Sequence, residues 1–411
     1  MGDPLISFID QDDLFGVCYV RLANLTSTYL YWYRYFNPNS FLSHDILESA
    51  GDQTRVILGD KVASLSIYFA DSITQEQATS FLTGVFLSNY KFVQKSYIGV
   101  DESAQFKRIG TVAVVHSTFN LQDERVQFAL QCTRYSLFCR QILSVRALEA
   151  NPETMLDLCR SIAQSNSKIS IEAIVGKELQ EKGLNLIYSV GRGAAKKPCL
   201  VTLSYKGNKI LDIWNMYLYY FLGNPNRADD VLALVGKGVC FDSGGLNLKP
   251  TGFIEEMWSD KGGACTTLAI FKAAVELNLP INLVCTMAFV ENLVGSDAYH
   301  PSDIIKSYKG LTVEIGNTDA EGRLILCDAM SWVQEKHKPN TLIEFSTLTG
   351  AVRVALGLST AGIFSNSDDL VANLMTAAGT ANERLWRLPI FEEHRNNMKG
   401  VNADLNNLGG K

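Results

Sequence analysis

Asp319, Glu321 and Arg323 stand at alternate positions in the octapeptide Asn317-Thr-Asp-Ala-Glu-Gly-Arg-Leu324. In an extended or tightly looped backbone, side chains two apart can converge on one side. Two carboxylates beside a guanidinium then offer oxygen ligands for a divalent cation next to a clamp for an anion. Taken alone, the same residues describe an ordinary solvated loop, so this chemistry needs a second half. Upstream, the segment Leu234-Val-Gly-Lys-Gly-Val-Cys-Phe-Asp-Ser-Gly-Gly-Leu-Asn-Leu-Lys-Pro250 carries Lys237, Asp242 and Lys249, and a further acid, Asp260, precedes Gly262-Gly263-Ala264. Three Asp and one Glu could hold two divalent ions about 3.5–4 Å apart, the spacing of a two-metal hydrolase. A lysine joins such a set only when burial beside cations strips its proton, because its ordinary pKa is about 10.4.

These residues need a scaffold. Val231 to Val235 is an apolar run bounded by Gly236, which predicts a buried parallel strand. The glycines that follow (Gly236, Gly238, Gly244, Gly245) predict a loop folded tightly around an ion, where positive φ and close backbone approach are available. That puts the loop at the carboxyl end of a strand in an open α/β sheet, where sites in such folds lie. Asn151-Pro-Glu-Thr restarts the chain with a helix-cap signal. Strands over Ile281–Phe289, Leu311–Ile315 and Thr341–Phe345 then alternate with helical patterns, one ending near Asn278 and one over Leu324–Val333. The expected fold is therefore α/β throughout. Residues 151–411 form a doubly wound, mostly parallel-sheet catalytic domain. Residues 1–150 alternate short apolar runs (Ser64–Ala70, Thr111–Val115) with helical patterns (Thr74–Leu87, Gln122–Leu130), a small N-terminal α/β domain without a catalytic constellation.

From about Asn151 onward the chain resembles the leucyl aminopeptidase family, the M17 metallopeptidases. The matching pieces occur in order: Val-Gly-Lys-Gly-Val-Cys-Phe-Asp-Ser-Gly-Gly, Leu-Lys-Pro, Glu-Met-Trp-Ser-Asp, Asn-Thr-Asp-Ala-Glu-Gly-Arg-Leu and Ser-Thr-Leu-Thr-Gly-Ala. The resemblance implies an aminopeptidase with two divalent ions, zinc or manganese, held by Lys237, Asp242, Asp260, Asp319 and Glu321, with Asp242 and Glu321 bridging. It implies catalytic roles for Lys249, at the oxyanion, and for Arg323, at a bicarbonate that relays a proton. Thr347, Leu348 and Thr349 match the segment lining the substrate cleft, and Met257 matches the floor of the side-chain pocket. The implied substrates are peptides with a free N-terminus, leucine-type residues among them. The implied assembly is a homo-oligomer, a hexamer, in the cytoplasm.

The chain departs from the family pattern in two places. Asp260-Lys261-Gly262-Gly263 replaces the usual Asp-Met-x-Gly, and a lysine there is expected to turn to solvent or to perturb the site. The sequence also stops at Leu408-Gly409-Gly410-Lys411, where family members continue by several tens of residues. A C-terminally incomplete fragment is expected, with a natural truncation as the alternative. Hence the second functional reading, a catalytically weak or inactive structural or moonlighting subunit of the same fold. A two-metal phosphoesterase fits less well, because such sites add histidine ligands or more basic clamps.

Other signals point to ordinary structure. Asp242-Ser243-Gly244-Gly245 imitates a serine-protease nucleophile segment, but His44, His116, His300, His337 and His394 form no partner motif, and no His-Glu-x-x-His helix occurs. Gly191-Arg-Gly193 lacks the third glycine of a dinucleotide loop. Nine scattered cysteines, an odd number without a Cys-x-x-Cys pair, argue against a disulfide framework and for a reducing compartment. The run Ile210–Leu222 is too short and too polar to span a bilayer, so a buried strand or an oligomer contact is expected. At 47% hydrophobic and 19% charged residues the chain has the composition of a globular protein with a full core. A net charge of −6 argues against nucleic acid as a required partner. The first residues, Met1-Gly-Asp-Pro-Leu-Ile-Ser-Phe, show no basic region or long apolar core, so no secretory signal is expected.

Overall fold

The computed structural model describes residues 17–23, 29–35, 64–69, 71, 73–90, 92, 111–207 and 230–409. The run Ile210–Leu222 and His44 lie outside the described residues. The chain divides into two compact units, Met1–Leu137 and Phe138–Lys411.

In the first unit, strands β1 (Val17–Ala23), β2 (Tyr29–Tyr35), β3 (Ser64–Phe69) and β4 (Thr111–Val115) form a sheet in the order β2-β1-β3-β4. The β1 pairs are antiparallel, and β3 runs parallel to β4. Helix α1 (Gln75–Ser88) starts at a capping box between Thr74 and Gln77. Its Phe81, Leu82 and Val85 join Leu65, Ile67 and Phe69 of β3 in one apolar cluster. Helix α2 (Glu124–Ser144) contains the boundary between the units.

The second unit opens with helix α3 (Pro152–Gln164). Its N-cap is Asn151, whose side chain accepts from the Glu153 and Thr154 amides, with Pro152 at the first helical position. This is the cap the sequence predicts, and the proline costs nothing there because its missing N–H has no intrahelical partner. Strands β5 (Ile169–Val175), β6 (Cys199–Lys206), β7 (Val231–Asp242) and β8 (Asn282–Asn292) join β11 (Thr341–Phe345) in a sheet of order β11-β7-β8-β6-β5. The strands β11, β7 and β8 are mutually parallel, and β6 and β5 add antiparallel pairs at one edge.

Residues alternate across this sheet with period two. Leu283, Cys285, Met287 and Phe289 of β8 pack with helix α3 and helix α6 (Gly262–Glu276) on one face. Val284, Ala288 and Val290 pack on the other face with helix α5 (Asn185–Gly191), which follows the short α4 (Lys177–Glu181), and with helix α7 (Gly322–His337). Helices on both faces of the sheet give the doubly wound α/β architecture that the sequence predicts.

Strand β7 corrects one expectation. It does not end at Gly236 but runs on through Gly236, Lys237 and Gly238 to Asp242. The two glycines serve packing rather than positive φ. A Cβ on Gly236 would meet the Ala264 Cα at 2.6 Å, and one on Gly238 the Ala288 carbonyl oxygen at 2.5 Å. Past Asp242 the backbone does turn through positive φ, at Gly244 (86°) and Gly245 (65°). The strand pairing also slips between Val239 and Phe241, leaving Cys240 as the extra residue of a bulge.

One side chain ties the two helices of the second face together. The N-terminus of α5 has no side-chain cap of its own. Asp328 of α7 supplies one, accepting from the Leu186 amide at 2.8 Å and the Ile187 amide at 3.4 Å, and from the Tyr308 amide at 2.8 Å. Burial pushes its carboxyl up to about 7, against the pull of those three N–H groups. A carboxyl whose folded pKa lies above its unfolded value binds its proton more tightly in the folded state. Its stabilising effect is full below about pH 4 and is lost as pH rises through about 7. Asp328→Ala is expected to cost about 2–4 kcal/mol in denaturant unfolding, since it orphans buried N–H groups. The stability of the parent relative to Asp328→Asn should fall between pH 5 and 7.5 by up to about 1.4 kcal/mol per pH unit. A flat difference across that range would contradict the assignment.

Candidate metal centre

The carboxyl ends of the three parallel strands carry the polar residues. Asp242 ends β7 and Asn292 ends β8, as paired partners in the register. Phe345, the last residue of β11, lies opposite Gly236, which brings Thr347 just beyond it near Lys237. The N-termini of α6 and α7 meet the same edge. Asp260 follows the 3₁₀ turn Met257–Ser259 just ahead of α6, and Glu321 is the N-cap of α7. Close approach is built into these helix starts. A Cβ on Gly263 would stand 2.0 Å from the Phe345 carbonyl oxygen, and one on Gly322 would stand 2.5 Å from Lys237 Cε.

Two lysines cross-link four carboxylates here. Lys237, 2% exposed, lies 2.8 Å from Asp260 Oδ2 and 3.0 Å from Glu321 Oε1, and donates to the Thr347 carbonyl oxygen at 3.2 Å. Lys249 lies 2.9 Å from Asp242 Oδ2 and also bonds Asp319. Thr347 Oγ1 donates to Asp260 Oδ1 at 2.7 Å. Asp242 Oδ1 accepts from the Gly244 amide at 2.9 Å and from Asn292 Nδ2 at 2.8 Å. The octapeptide takes the tight-loop form, with the Ala320 amide bonded to the Asn317 carbonyl oxygen.

Electrostatics follow from this crowding. Burial, reinforced by neighbouring carboxylates, pushes Glu321 up to about 7 and Asp260 up to about 6, although Lys237 pulls both down. Asp319 is raised by burial and by Asp242. Burial disfavours the ammonium of Lys237, but Glu321 and Asp260 more than offset it and hold its pKa above the ordinary lysine range. Four carboxylates against two ammonium groups leave a deficit of positive charge. Oxygens of Asp242, Asp319 and Glu321 lie within 4.8 Å of one another. Hard oxygen donors at this spacing, short of positive charge, fit divalent cations.

The remaining sequence candidates are less tightly joined. Arg323 is half-buried in the first turn of α7, and its Nε is buried without a hydrogen-bond partner. Leu348 is exposed, with its Cδ1 3.1 Å from where a Cβ on Gly322 would stand, and Thr349 is the exposed N-cap of helix α8 (Gly350–Leu356). Met257 is half-buried in the turn before Asp260.

Lys261 contradicts its expected exposure. It is wholly buried, donating to the Val145 carbonyl oxygen at 2.9 Å and the Trp258 carbonyl oxygen at 2.6 Å, and burial lowers its pKa. The carbonyls draw it inward, and solvent exposure would leave them unpaired. Cys240 is buried as an apolar packing residue, its thiol pushed up by burial.

Sequence reasoning missed the residues that fix the two acidic loops to each other. Thr318 Oγ1 donates to the Gly244 carbonyl oxygen at 2.6 Å, and its amide donates to Asn247 Oδ1 at 2.8 Å. Asn292 and Tyr299 both donate to the Thr318 carbonyl oxygen, at 3.0 and 2.7 Å. Asn407 accepts from the Gly316 amide and donates to the Asn317 carbonyl oxygen, both at 2.7 Å. The available signal was an Asn closing an apolar strand pattern at 292, where a buried amide needs partners.

Comparison with known proteins points one way. Residues 137–411 match the cytosol aminopeptidase family, catalytic domain. A probable cytosol aminopeptidase of Pseudomonas fluorescens (strain Pf0-1) is 37% identical over 273 residues, covering 66% of this chain and 51% of that protein. One from Aeromonas salmonicida is 38% identical over 274 residues, with the same shares. The chain thus spans about half the length of the curated relatives it matches. Among solved structures, the bottromycin maturation enzyme BotP in complex with Mn superposes with a TM-score of 0.75 at 27% identity, over 90% of this chain and 75% of that one. The chain belongs to the cytosol aminopeptidase family, whose catalytic domain its second unit carries.

Proposed function

We propose that this chain is a two-metal aminopeptidase that hydrolyses the N-terminal bond of peptides, leucine-type residues among its substrates. The observation that carries the reading is the cluster of buried Asp242 and Glu321 with half-buried Asp319, their oxygens within 4.8 Å, in a chain of this family. Lys237, Asp242, Asp260, Asp319 and Glu321 are the residues that would hold two divalent ions, zinc or manganese. Such ions supply a nucleophile at neutral pH and polarise the scissile carbonyl. The similar enzyme BotP is known in complex with Mn, which supports manganese as a first choice.

The chain's own residues do the rest. Lys237 must release its proton to act as a ligand, and a nearby cation favours that release. Lys249, whose ammonium bonds Asp242 and Asp319, would be freed where bound cations take over those carboxylates and would stabilise an oxyanion on the scissile carbonyl. Arg323, with a buried Nε unpartnered, would hold a small anion such as bicarbonate, which would supply a proton relay toward the leaving amine. Thr347, Leu348 and Thr349 line the cleft beside the cluster, and Met257 floors the side-chain pocket. The same reading takes the active form as a homo-oligomer, a hexamer, in the cytoplasm. No helix of the described residues is long and apolar enough to cross a membrane.

Asp319→Ala and Glu321→Ala are expected to lower fluorophore release from an N-terminal leucine amide by more than about 100-fold, beyond the loss typical of outer-shell changes. The assay uses metal-stripped protein with added Mn²⁺ or Zn²⁺. Unchanged turnover in both variants would sink the reading. In Gly322→Ala the new methyl displaces Lys237, so calorimetric Mn²⁺ affinity should drop about 10–100-fold while the far-ultraviolet spectrum is retained. An unaltered affinity would remove Lys237 from the ligand set.

A further inference from the structure

Lys261 is the buried charge for which the proposed reaction has no use. It is 0% exposed, and among the described residues no carboxylate pairs with it. An ammonium buried without a counter-charge is tolerated only where its donors are well satisfied. A methionine at this position would fill the space without that cost. The lysine therefore holds something that a methionine would not.

What it holds is the turn carrying Asp260. The Trp258 carbonyl oxygen that Lys261 binds at 2.6 Å belongs to the 3₁₀ turn Met257–Ser259. The Asp260 amide closes that turn on the Met257 carbonyl oxygen at 3.3 Å. The second Lys261 bond, to the Val145 carbonyl oxygen at 2.9 Å, reaches the segment that follows α2. The same segment grips the turn again from its neighbouring residue. The Arg146 guanidinium carbon lies 3.6 Å from the centroid of the Trp258 ring, and Lys261 Nζ lies 5.7 Å from it. Arg146 Nη1 donates back to the Ser144 carbonyl oxygen at 3.1 Å.

We propose that Lys261 is a positioning residue which, with Arg146 and Trp258, clamps the Met257–Asp260 turn to the Ser144–Arg146 segment and so fixes where Asp260 offers its carboxylate. The carboxylate tip is already held by Lys237 and Thr347. The clamp holds the backbone beneath it. An outer-shell contact of this kind tunes metal affinity rather than the chemistry of the bond broken. The inference rests on the reading of Asp260 as a ligand of one ion.

The test is calorimetric titration of the metal-stripped full chain with Mn²⁺. Lys261→Met is expected to weaken one of two Mn²⁺ equivalents about tenfold and to leave the other unchanged. Arg146→Ala, an exposed position where folding is safe, should weaken the same equivalent about threefold, in keeping with the loss of a cation–π contact. Val190→Ala, a core truncation in α5, serves as a control for lost stability and should leave both affinities alone. The proposal is overturned when Lys261→Met and Arg146→Ala bind both equivalents as the parent does, or when Val190→Ala weakens them as much as Lys261→Met. If Lys261→Met does not fold, Arg146→Ala decides. A parent chain that binds no Mn²⁺ overturns the metal reading itself and this proposal with it, and that failure is visible before any substitution is made.

Discussion

A carboxylate gives up its hydration only where something positive replaces the water, and here Asp242, Asp260 and Glu321 are all buried within one cluster. The rest of the second unit is arranged around that requirement. Lys237 and Lys249 each bridge two of the acids, so every carboxylate touches an ammonium. The compensation is incomplete, and the raised pKa values of Asp260, Asp319 and Glu321 are its physical trace. Such a cluster is poor as a stability device, because apolar residues of the same volume would hold the fold without the desolvation. Its burial at the carboxyl edge of the sheet argues for a ligand of opposite charge.

Bringing those acids together depends on a single irregularity in β7. Period-two alternation places Lys237 and Val239 toward α7, and Gly236, Gly238 and Cys240 toward α6. By strict alternation Asp242 would follow Cys240 onto the α6 face. The bulge at Cys240 resets the parity, pairing Phe241 with Glu291 and Asp242 with Asn292. Asn292 follows Val290 by two residues and so shares its face, toward α7. Asp242 is thereby turned to the side where Glu321 and Asp319 enter, and Asn292 Nδ2 can hold it at 2.8 Å. The bulge is a means of aiming one side chain.

This also explains what was legible in the sequence. The apolar periods of β8 and β11, the Asn151 cap and the start of α7 near Leu324 are local signals, and they located the elements within a few residues. The charged residues that meet in the cluster were legible as acids and lysines in two glycine-containing segments, and their reading as ligands came with the family resemblance. The role of Gly236 and Gly238 was not, because a glycine gives the same letter whether it frees φ or admits a neighbouring backbone. Lys261 was misread for a related reason. A lysine's preference for solvent is a statistical tendency, and two backbone carbonyls 2.6 and 2.9 Å away override it. The network through Thr318, Asn292, Tyr299 and Asn407 joins residues 19 to 91 positions apart, a separation no local pattern encodes.

That network also explains how a loop can present acids without drifting. Ahead of the first turn of α7 the octapeptide has only short turns at Asn317–Ala320, so much of its shape comes from outside. Asn247 and Thr318 exchange hydrogen bonds in both directions, locking the octapeptide to the loop after Asp242. Asn407 then pins Gly316 and Asn317 from the other side, beside the two-residue strand β14 (Leu405–Asn406), which lies parallel to β10 (Thr312–Glu314). Neutral amides and hydroxyls suit this task better than charges would, because they orient the backbone without adding to the field at the cluster. The site is thus divided by chemistry. Charged side chains set the negative potential of the cluster, and uncharged ones around them set its geometry.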